Sequence, residues 1–467
     1  MRKYLLFAVV ARPVLLGHIG STAMAVAFPT MVSHFGTSLV LAGWVLSVYQ
    51  LVVIGAIPVA ARLSDTVGRK SVFTYCLVLF IIGSFLCAVA PNVGWLIFFR
   101  MIQAAGGGGF VSVASGILSD EVPDSRQQFI GLLNSIANLG SLVGPNLGAV
   151  MVVYLGWQSV FWLNVPIAII ALVLFRHLVK ADVKRAGHGE IDLLGVALLS
   201  GFVSSVMISL TLMGKAYQMP PIVIVSTLLL GVLFLLMFVY RSRKLAGAVD
   251  NLELLTGRPF LASNIYNFIF GTCAQSGVMS LMPLYAISVY GVSVLKSGLI
   301  MTPRSLGAMV ASMVASFSLL KWGYRRPIIV GTVAISVGMA VLALEPSQVT
   351  LAGVSLTPVV LVMLFALLAG AGAGLATPAA ANAGIDLMPD QVASIAGLRQ
   401  VFRQMGAAIG IAVSTLVLES SANMPRGFTV VFMGAGVIML LSIPAVFYMP
   451  AGPRRLDQPA AGHGKKG

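Results

Sequence analysis

ARLSDTVGRK, residues 61–70, is the stretch on which the fold turns. Arg62, Asp65, Arg69 and Lys70 crowd into it, yet the flanking runs 40–61 and 71–90 contain no charged residue. A helix of ~20 residues rising 1.5 Å per residue matches the ~30 Å hydrocarbon core of a bilayer. The stretch therefore reads as a polar joint between two membrane-spanning helices, with Gly68 permitting the tight turn. The whole chain repeats the pattern: of its 467 residues, 58% are hydrophobic and 9% charged, against about 25% charged in water-soluble domains.

Working outward from this joint, apolar runs fall at 10–32, 40–61, 71–90, 94–117, 128–154, 157–178, 192–213, 220–240, 260–288, 297–319, 327–345, 357–381, 394–417 and 428–449. They predict an all-α integral membrane protein with 14 transmembrane helices and both termini on one side. The joints on that side hold 22 of the 29 lysines and arginines, counting Arg399 with the joint before the thirteenth run. The opposite joints hold Lys215, Lys296 and Arg426, while Arg12, Arg100, Arg304 and Arg403 lie inside runs. Basic residues mark the cytoplasmic face. The expectation is a multi-pass protein of the plasma (inner) membrane with both termini cytoplasmic.

Several function classes fall away. The net charge of +15 sits in the joints, where it sets topology, so no nucleic-acid partner is expected. Cys76 and Cys87 lie about 16 Å apart along one helix, too far for a disulfide. No run holds a carboxylate pair, a metal-ligand cluster or an activated nucleophile, which argues against an enzyme, a metal or a cofactor. No nucleotide-binding loop is present, so ATP is not the direct energy source; the four glycines at 106–109 read as helix packing. MRKYLLFAVVARP lacks a small-residue cleavage site and reads as part of the first span. Residues 176–192 form a basic linker, and 451–467 read as a disordered cytoplasmic tail.

An internal repeat organises the runs. Pro29 precedes Gly68 by 39 residues, and Pro283 precedes Gly323 by 40. Gly140 and Gly144 in the fifth run have counterparts in Gly406 and Gly410 of the thirteenth. The predicted units are an N-terminal six-helix half (1–180), a linker with two inserted helices (181–250), a C-terminal six-helix half (251–450) and the tail (451–467). Repeated halves with a site at their interface are the architecture of alternating-access transporters.

Further motifs follow in order. LIFFRMIQAAGGGG (96–109) places Arg100 and Gln103 one turn apart. GSLVGPNLG (140–148) sets small residues at every fourth position around a helix-bending proline, suited to close helix packing. GWQSVFWLNVP (156–166) opens the sixth run, Trp44 and Tyr49 lie in the second, and Arg403-Gln404-x-Gly406 lies in the thirteenth. Asp192 and Gly195 open the seventh.

Together these resemble the major facilitator superfamily, specifically its 14-helix drug/proton antiporter branch (EmrB/QacA-type), over nearly the whole chain. The resemblance implies a major facilitator fold of two six-helix halves plus two inserted helices. It further implies that Asp65, Gly68, Arg69 and Lys70 form a cytoplasmic gating loop. Arg100 would be a buried arginine of proton coupling, and Gly140, Gly144, Pro145 and Gly148 the antiporter bend. Ala61 and Ala104 replace glycines usual in the branch. Gly20 stands where the branch carries an aspartate, and none of the fourteen acidic residues lies mid-span.

His18 is the ionisable residue nearest that vacated position, about 200° away around the helix. Two readings stand: a neutral imidazole bonded to a neighbouring span, or a proton carrier titrating near neutral pH. Arg100 and Arg304 imply either carbonyl partners or an anionic ligand. Arg304 follows Pro283 by 21 residues, as Gln50 follows Pro29, which places both on the cavity side. With Tyr49, Gln103 and Arg403, these residues form the expected substrate or proton pathway. The expected function is secondary transport of lipophilic or amphiphilic small molecules outward by a monomer in the bilayer, with carboxylate-based proton coupling lacking its residue. The rivals are export of an anionic metabolite through the intramembrane arginines, and a non-transporting receptor or scaffold.

Overall fold

The structure, a computed structural model, describes residues 2–122, 126–179, 193–214, 219–246, 257–275, 278–345, 349–351, 354–387 and 392–452. Most of the basic linker, the tail, Asp192 and Lys215 lie outside the described residues, as does the side chain of Asp65.

The first rods are α1 (Arg2–Phe35), α2 (Leu39–Thr66) and α3 (Arg69–Ala88), then α4 (Val93–Gly107) continued by α5 (Phe110–Glu121). They are followed by α6 (Arg126–Leu155) and the short α7 (Ser159–Trp162) leading into α8 (Asn164–Leu178). Next come α9 (Leu193–Leu212) and α10 (Pro221–Ala246). The remainder holds α11 (Arg258–Phe270), α12 (Met282–Tyr290), α13 (Val294–Trp322), α14 (Arg325–Ala343), α15 (Pro358–Ile385), α16 (Val392–Ser420), α17 (Met424–Leu441) and α18 (Ile443–Val446). Among the described residues, twelve helices are long and apolar enough to cross a membrane. The seventh and ninth predicted runs are helical but outside that twelve: α9 has a shorter described apolar stretch, and the ninth run is broken.

Helix starts follow local chemistry. Ser38 and Ser293, at repeat-equivalent places, accept from the backbone N–H groups of Leu41 and Lys296. Asn92 and Asn423 do the same for Trp95 and Arg426. Each side chain satisfies one donor that the first helical turn leaves without a partner.

The break in the ninth run coincides with a close packing contact. A π-helical turn (Gly271–Gln275) and a 3₁₀ turn (Val278–Leu281) separate α11 from α12. A Cβ at Gly271 would collide with the Arg403 carbonyl of α16. Irregular backbone at membrane depth survives only where protein groups satisfy it, and the Arg304 guanidinium donates to the Ala274 carbonyl at 2.9 Å. The joint between α14 and α15 also carries a two-stranded hairpin that the sequence reading lacks, β1 (Val349–Leu351) against β2 (Val354–Leu356), with Thr350 opposite Ser355.

Glycine sets the closest helix pairs. On α6, a Cβ at Gly140 would meet the Leu15 carbonyl at 2.9 Å, at Gly144 the Ile19 carbonyl at 2.8 Å and at Gly148 the Ala23 side chain at 2.6 Å. The i, i+4, i+8 stripe thus seats α6 directly on α1. Gly406 and Gly410 likewise seat α16 on the Phe268 and Thr272 carbonyls of the broken run. The four glycines at 106–109 are packing residues too: Gly106 meets the backbone of Cys76 and Phe80 on α3, and Gly108 the Ala56 side chain on α2.

α9 and α10 stand outside this arrangement. α9 packs on α2 and α16, where Leu199, Val203 and Met207 share an apolar cluster with Leu51, Ile54, Val401 and Met405. The Trp44 indole donates to Thr211 Oγ1 at 2.7 Å. α10 touches the rest through α9, including a 2.7 Å Ser209–Thr227 hydroxyl pair, and presents most of its apolar surface outward.

These contacts generate a matched pair of expectations. Alanine is intrinsically favoured over glycine in a helix by about 1 kcal/mol. At Gly20 a Cβ would sit 3.5 Å from Asn164 Nδ2, an ordinary contact, so Gly20→Ala keeps or slightly raises stability. At Gly144 a Cβ would meet the Thr22 hydroxyl and, behind it, the Ile19 backbone, and overpacking costs ~1–3 kcal/mol. Thermal unfolding of both purified variants checks this; equal melting temperatures would remove the glycine argument.

Candidate functional site

The 61–70 joint is anchored to its neighbours by its basic residues. Gly68 adopts φ 119°, a value that excludes ordinary side chains. Arg69 then reaches α5, pairing with Asp120 at 3.0 Å and donating to the Gly116 carbonyl. A Cβ at Gly116 would lie 2.9 Å from the Arg69 guanidinium carbon, so the glycine makes room for the cation. Lys70 donates to the carbonyls of Arg176 and Val179 at the end of α8. A cation there meets the negative end of the helix dipole and carbonyls that have no intrahelical donor.

The joint between α13 and α14 repeats this arrangement with different residues. Gly323, the counterpart of Gly68, has φ 69°. Tyr324 stands at the place of Arg69 and donates to Asp386 Oδ2, just past α15, at 2.6 Å. Arg325 stands at the place of Lys70 and donates to the Met449 carbonyl beyond α18 at 2.8 and 3.1 Å. Burial, and then the hydrogen bond and charge of Asp386, push the Tyr324 phenol above its usual pKa. It stays a neutral donor at neutral pH.

Arg100 and Gln103 meet as their spacing requires. Arg100 donates to Gln103 Oε1 at 2.6 Å and to the Val45 carbonyl at 3.2 Å. Gln103 in turn donates to Ser84 Oγ at 2.8 Å. The guanidinium carbon lies 4.5 Å from the centre of the Tyr49 ring and 5.7 Å from that of Phe161. Of the two readings open for this arginine, the carbonyl partner is the one found. It ties α4 to α2 and α3 within the first six rods. Arg304 also has a carbonyl partner, at Ala274.

A second set of polar residues lies where the early and late rods face each other. Gln404 of α16 donates to Gln50 Oε1 of α2 at 2.6 Å. Asn146 of α6 pairs with Thr302 of α13 at 2.7 Å, and Ser305 donates to the Ser141 carbonyl at 3.4 Å. Glu419, near the end of α16, accepts from the Val40 N–H in the first turn of α2 at 3.0 Å. Gly43 lies against Thr415. These contacts run from the middle of each helix toward the ends at Leu39, Leu155, Val294 and Ser420. His18, one of the ring nitrogens of which bonds the Val14 carbonyl at 2.9 Å, lies within electrostatic reach of Arg403. Gly20 faces Asn164, a fully buried residue with an unpartnered Oδ1 atom.

The sequence reading does not single out Asn146, Thr302 or Glu419 as site residues, because their partners lie on distant helices. Arg399, counted with a joint, lies inside α16 one turn before Arg403, a spacing that could have flagged the pair.

Residues 14–360 match the description of the Major Facilitator Superfamily. The chain belongs to the Major Facilitator Superfamily. This superfamily is one of membrane transporters, not enzymes. Multidrug resistance protein 3 of Bacillus subtilis is 30% identical over 71% of this chain and 64% of its own length. The multidrug transporter protein MdtP of the same organism is 26% identical over 87% of this chain and 73% of its own. The methylenomycin A resistance protein of Streptomyces coelicolor is 26% identical, covering 93% and 90%. Among solved structures, a peptide transporter POT in complex with sulfate superposes with a TM-score of 0.69 at 16% identity, covering 96% of this chain and 93% of that one. The xylose transporter XylE from E. coli gives 0.62 at 12%, covering 95% and 98%. At these identities the structural likeness is one of fold.

The superfamily joint yields a further expectation. A partly exposed ion pair such as Arg69–Asp120 contributes only ~0–1 kcal/mol to stability. The same amount applied to a two-state conformational equilibrium changes its ratio about fivefold. Asp120→Asn should therefore insert and unfold like wild type while turnover per inserted molecule changes up to about fivefold. Unchanged turnover at equal membrane abundance would confine the pair to a structural role.

Proposed function

We propose that this chain exports lipophilic or amphiphilic small molecules, multidrug-type, by alternating access between two six-helix halves, 1–180 and 251–450. The inserted α9 and α10 belong to 181–250. In this reading α9 and the broken α11–α12 run complete fourteen spans. Both termini face the cytoplasm of an inner-membrane protein, as the lysine and arginine bias argues. The multidrug and drug-resistance names of the relatives support the substrate class. One observation carries the mechanism: hydrogen bonds joining the halves cluster from the helix midpoints to one end, around a polar centre of Gln50, Gln404, His18 and Arg403.

On this reading the joined end is the closed outer gate. Val40–Glu419, Gly43–Thr415 and Gly298 against Pro145 and Ala149 part when the outer side opens. Gly140, Gly144, Pro145 and Gly148 give α6 the close fit to α1 that lets them move together. The joint of Asp65, Gly68, Arg69 and Lys70 steadies the cytoplasmic ends. Arg100, Gln103 and Tyr49 brace α4 against α2. With Gly20 in the position of the branch's acid and no mid-span carboxylate, the transport step runs without a carboxylate proton relay.

Crosslinking tests the gate. A Cβ at Gly43 lies 3.5 Å from the Thr415 Cβ, within the disulfide range of about 3.5–4.5 Å. The native cysteines are buried. Gly43→Cys/Thr415→Cys should crosslink on mild oxidation, stop transport and regain it on reduction. Full transport by the crosslinked protein would refute alternating access at this seam.

Proteoliposomes with an imposed pH gradient test coupling. His18 already has a carbonyl partner within its own helix, so wild type and His18→Ala should respond alike. Uphill accumulation driven by protons and lost in His18→Ala would overturn that expectation.

A further inference from the structure

We infer that Arg399 and Arg403 form an anion-recognition subsite, so that the preferred substrates are amphiphilic organic anions, with a carboxylate or sulfonate joined to an apolar body. The inference rests on the export reading above and narrows its substrate class.

A charged residue in a span costs at least ~2.5 kcal/mol unless its surroundings compensate it. Arg100 has a carbonyl, a glutamine and two aromatic faces. Arg304 has the carbonyl released by the broken ninth run. The pair on α16 is different. Arg403 donates to Gln400 Oε1 through one terminal nitrogen, but its Nε is buried without a hydrogen-bond partner, and so is Nε of Arg399. A guanidinium carries five donors and no acceptor, so these atoms can be satisfied only by an acceptor that arrives.

The surroundings add charge without balancing it. Residues four apart on a helix are neighbours, and like charges at that spacing repel. His18, from the opposite half, lies within electrostatic reach of Arg403, so that guanidinium sits close to the first span. The acidic residue of α16 is Glu419, about 24 Å further along the helix at 1.5 Å per residue, and it is engaged with Val40. Two guanidinium groups with free buried donors, one turn apart beside the interface of the halves, fit one bidentate acid. A cationic substrate would add to the repulsion.

Direct binding to the full-length purified protein tests this with three matched probes: 1-naphthylacetate, 1-naphthylmethanol and 1-naphthylmethylammonium. Wild type should bind the acetate about tenfold or more tightly than the alcohol, the range expected for charge-assisted hydrogen bonds. Arg399→Gln and Arg403→Gln should each erase most of that advantage while leaving the alcohol unchanged, and Arg403→Lys should retain part of it. The wild-type comparison decides even if a variant fails to fold. Equal binding of acetate and alcohol (including none), or an advantage that survives in the double glutamine variant, overturns the subsite. Efflux of neutral and cationic dyes from cells, with no anion advantage, overturns the subsite and leaves the export reading intact. An anion advantage lost with the arginines, in a protein that moves no dye, supports the subsite and overturns export instead.

Discussion

The approach of the α6 backbone to α1 is the constraint on which most of the structure leans. Gly144 occupies a place where the Ile19 carbonyl leaves no room for a Cβ, and Gly140 and Gly148 extend that contact over two turns. Lipid tails give no hydrophobic drive between helices, so contact distance and shape decide association. With α6 held this close, its other face is free to meet α13, where Gly298 packs on the Pro145 carbonyl and Asn146 reaches Thr302. The same solution returns at Gly406 and Gly410 against the broken run. The two places therefore share one style of helix packing, and polar contacts such as Gln50–Gln404 and Asn146–Thr302 join the early rods to the late ones.

The ends of the rods are held by a different device, also used twice. After a glycine of positive φ, the next residue ties to a carboxylate at the end of a neighbouring rod, and the one after that donates to the terminal carbonyls of another. Arg69 and Lys70 do this at one joint, and Tyr324 and Arg325 at the other. The conserved element within the chain is the geometry, not the charge: a phenol does at Tyr324 what a guanidinium does at Arg69. The difference has a consequence. The Tyr324 phenol is a neutral donor, so its bond to Asp386 offers salt less to screen than the Arg69–Asp120 ion pair does.

The intramembrane arginines divide by what they touch. Arg100 and Arg304 complete backbone and side-chain demands of their own units, which is how a span tolerates a permanent charge. Arg399 and Arg403 retain unmet donors beside the seam of the two units. Gly20 faces the neutral amide of Asn164 rather than a charged group.

The sequence by itself determined that most of the apolar runs are long helices of a membrane protein, because charge exclusion from hydrocarbon is a local, residue-by-residue cost. It also determined the glycine stripes and the Arg100–Gln103 pairing, since each rests on spacing along a single helix. Tertiary structure alone decided the rest. That Arg69 would choose Asp120, that Tyr324 would stand in for an arginine, and that the ninth run would break against Arg403 all depend on neighbours far away in the chain. So does the fate of each buried arginine. A guanidinium is costly anywhere in a span, and whether that cost is met by a carbonyl or left for a ligand is fixed by which helix lies opposite, a fact that no linear spacing carries.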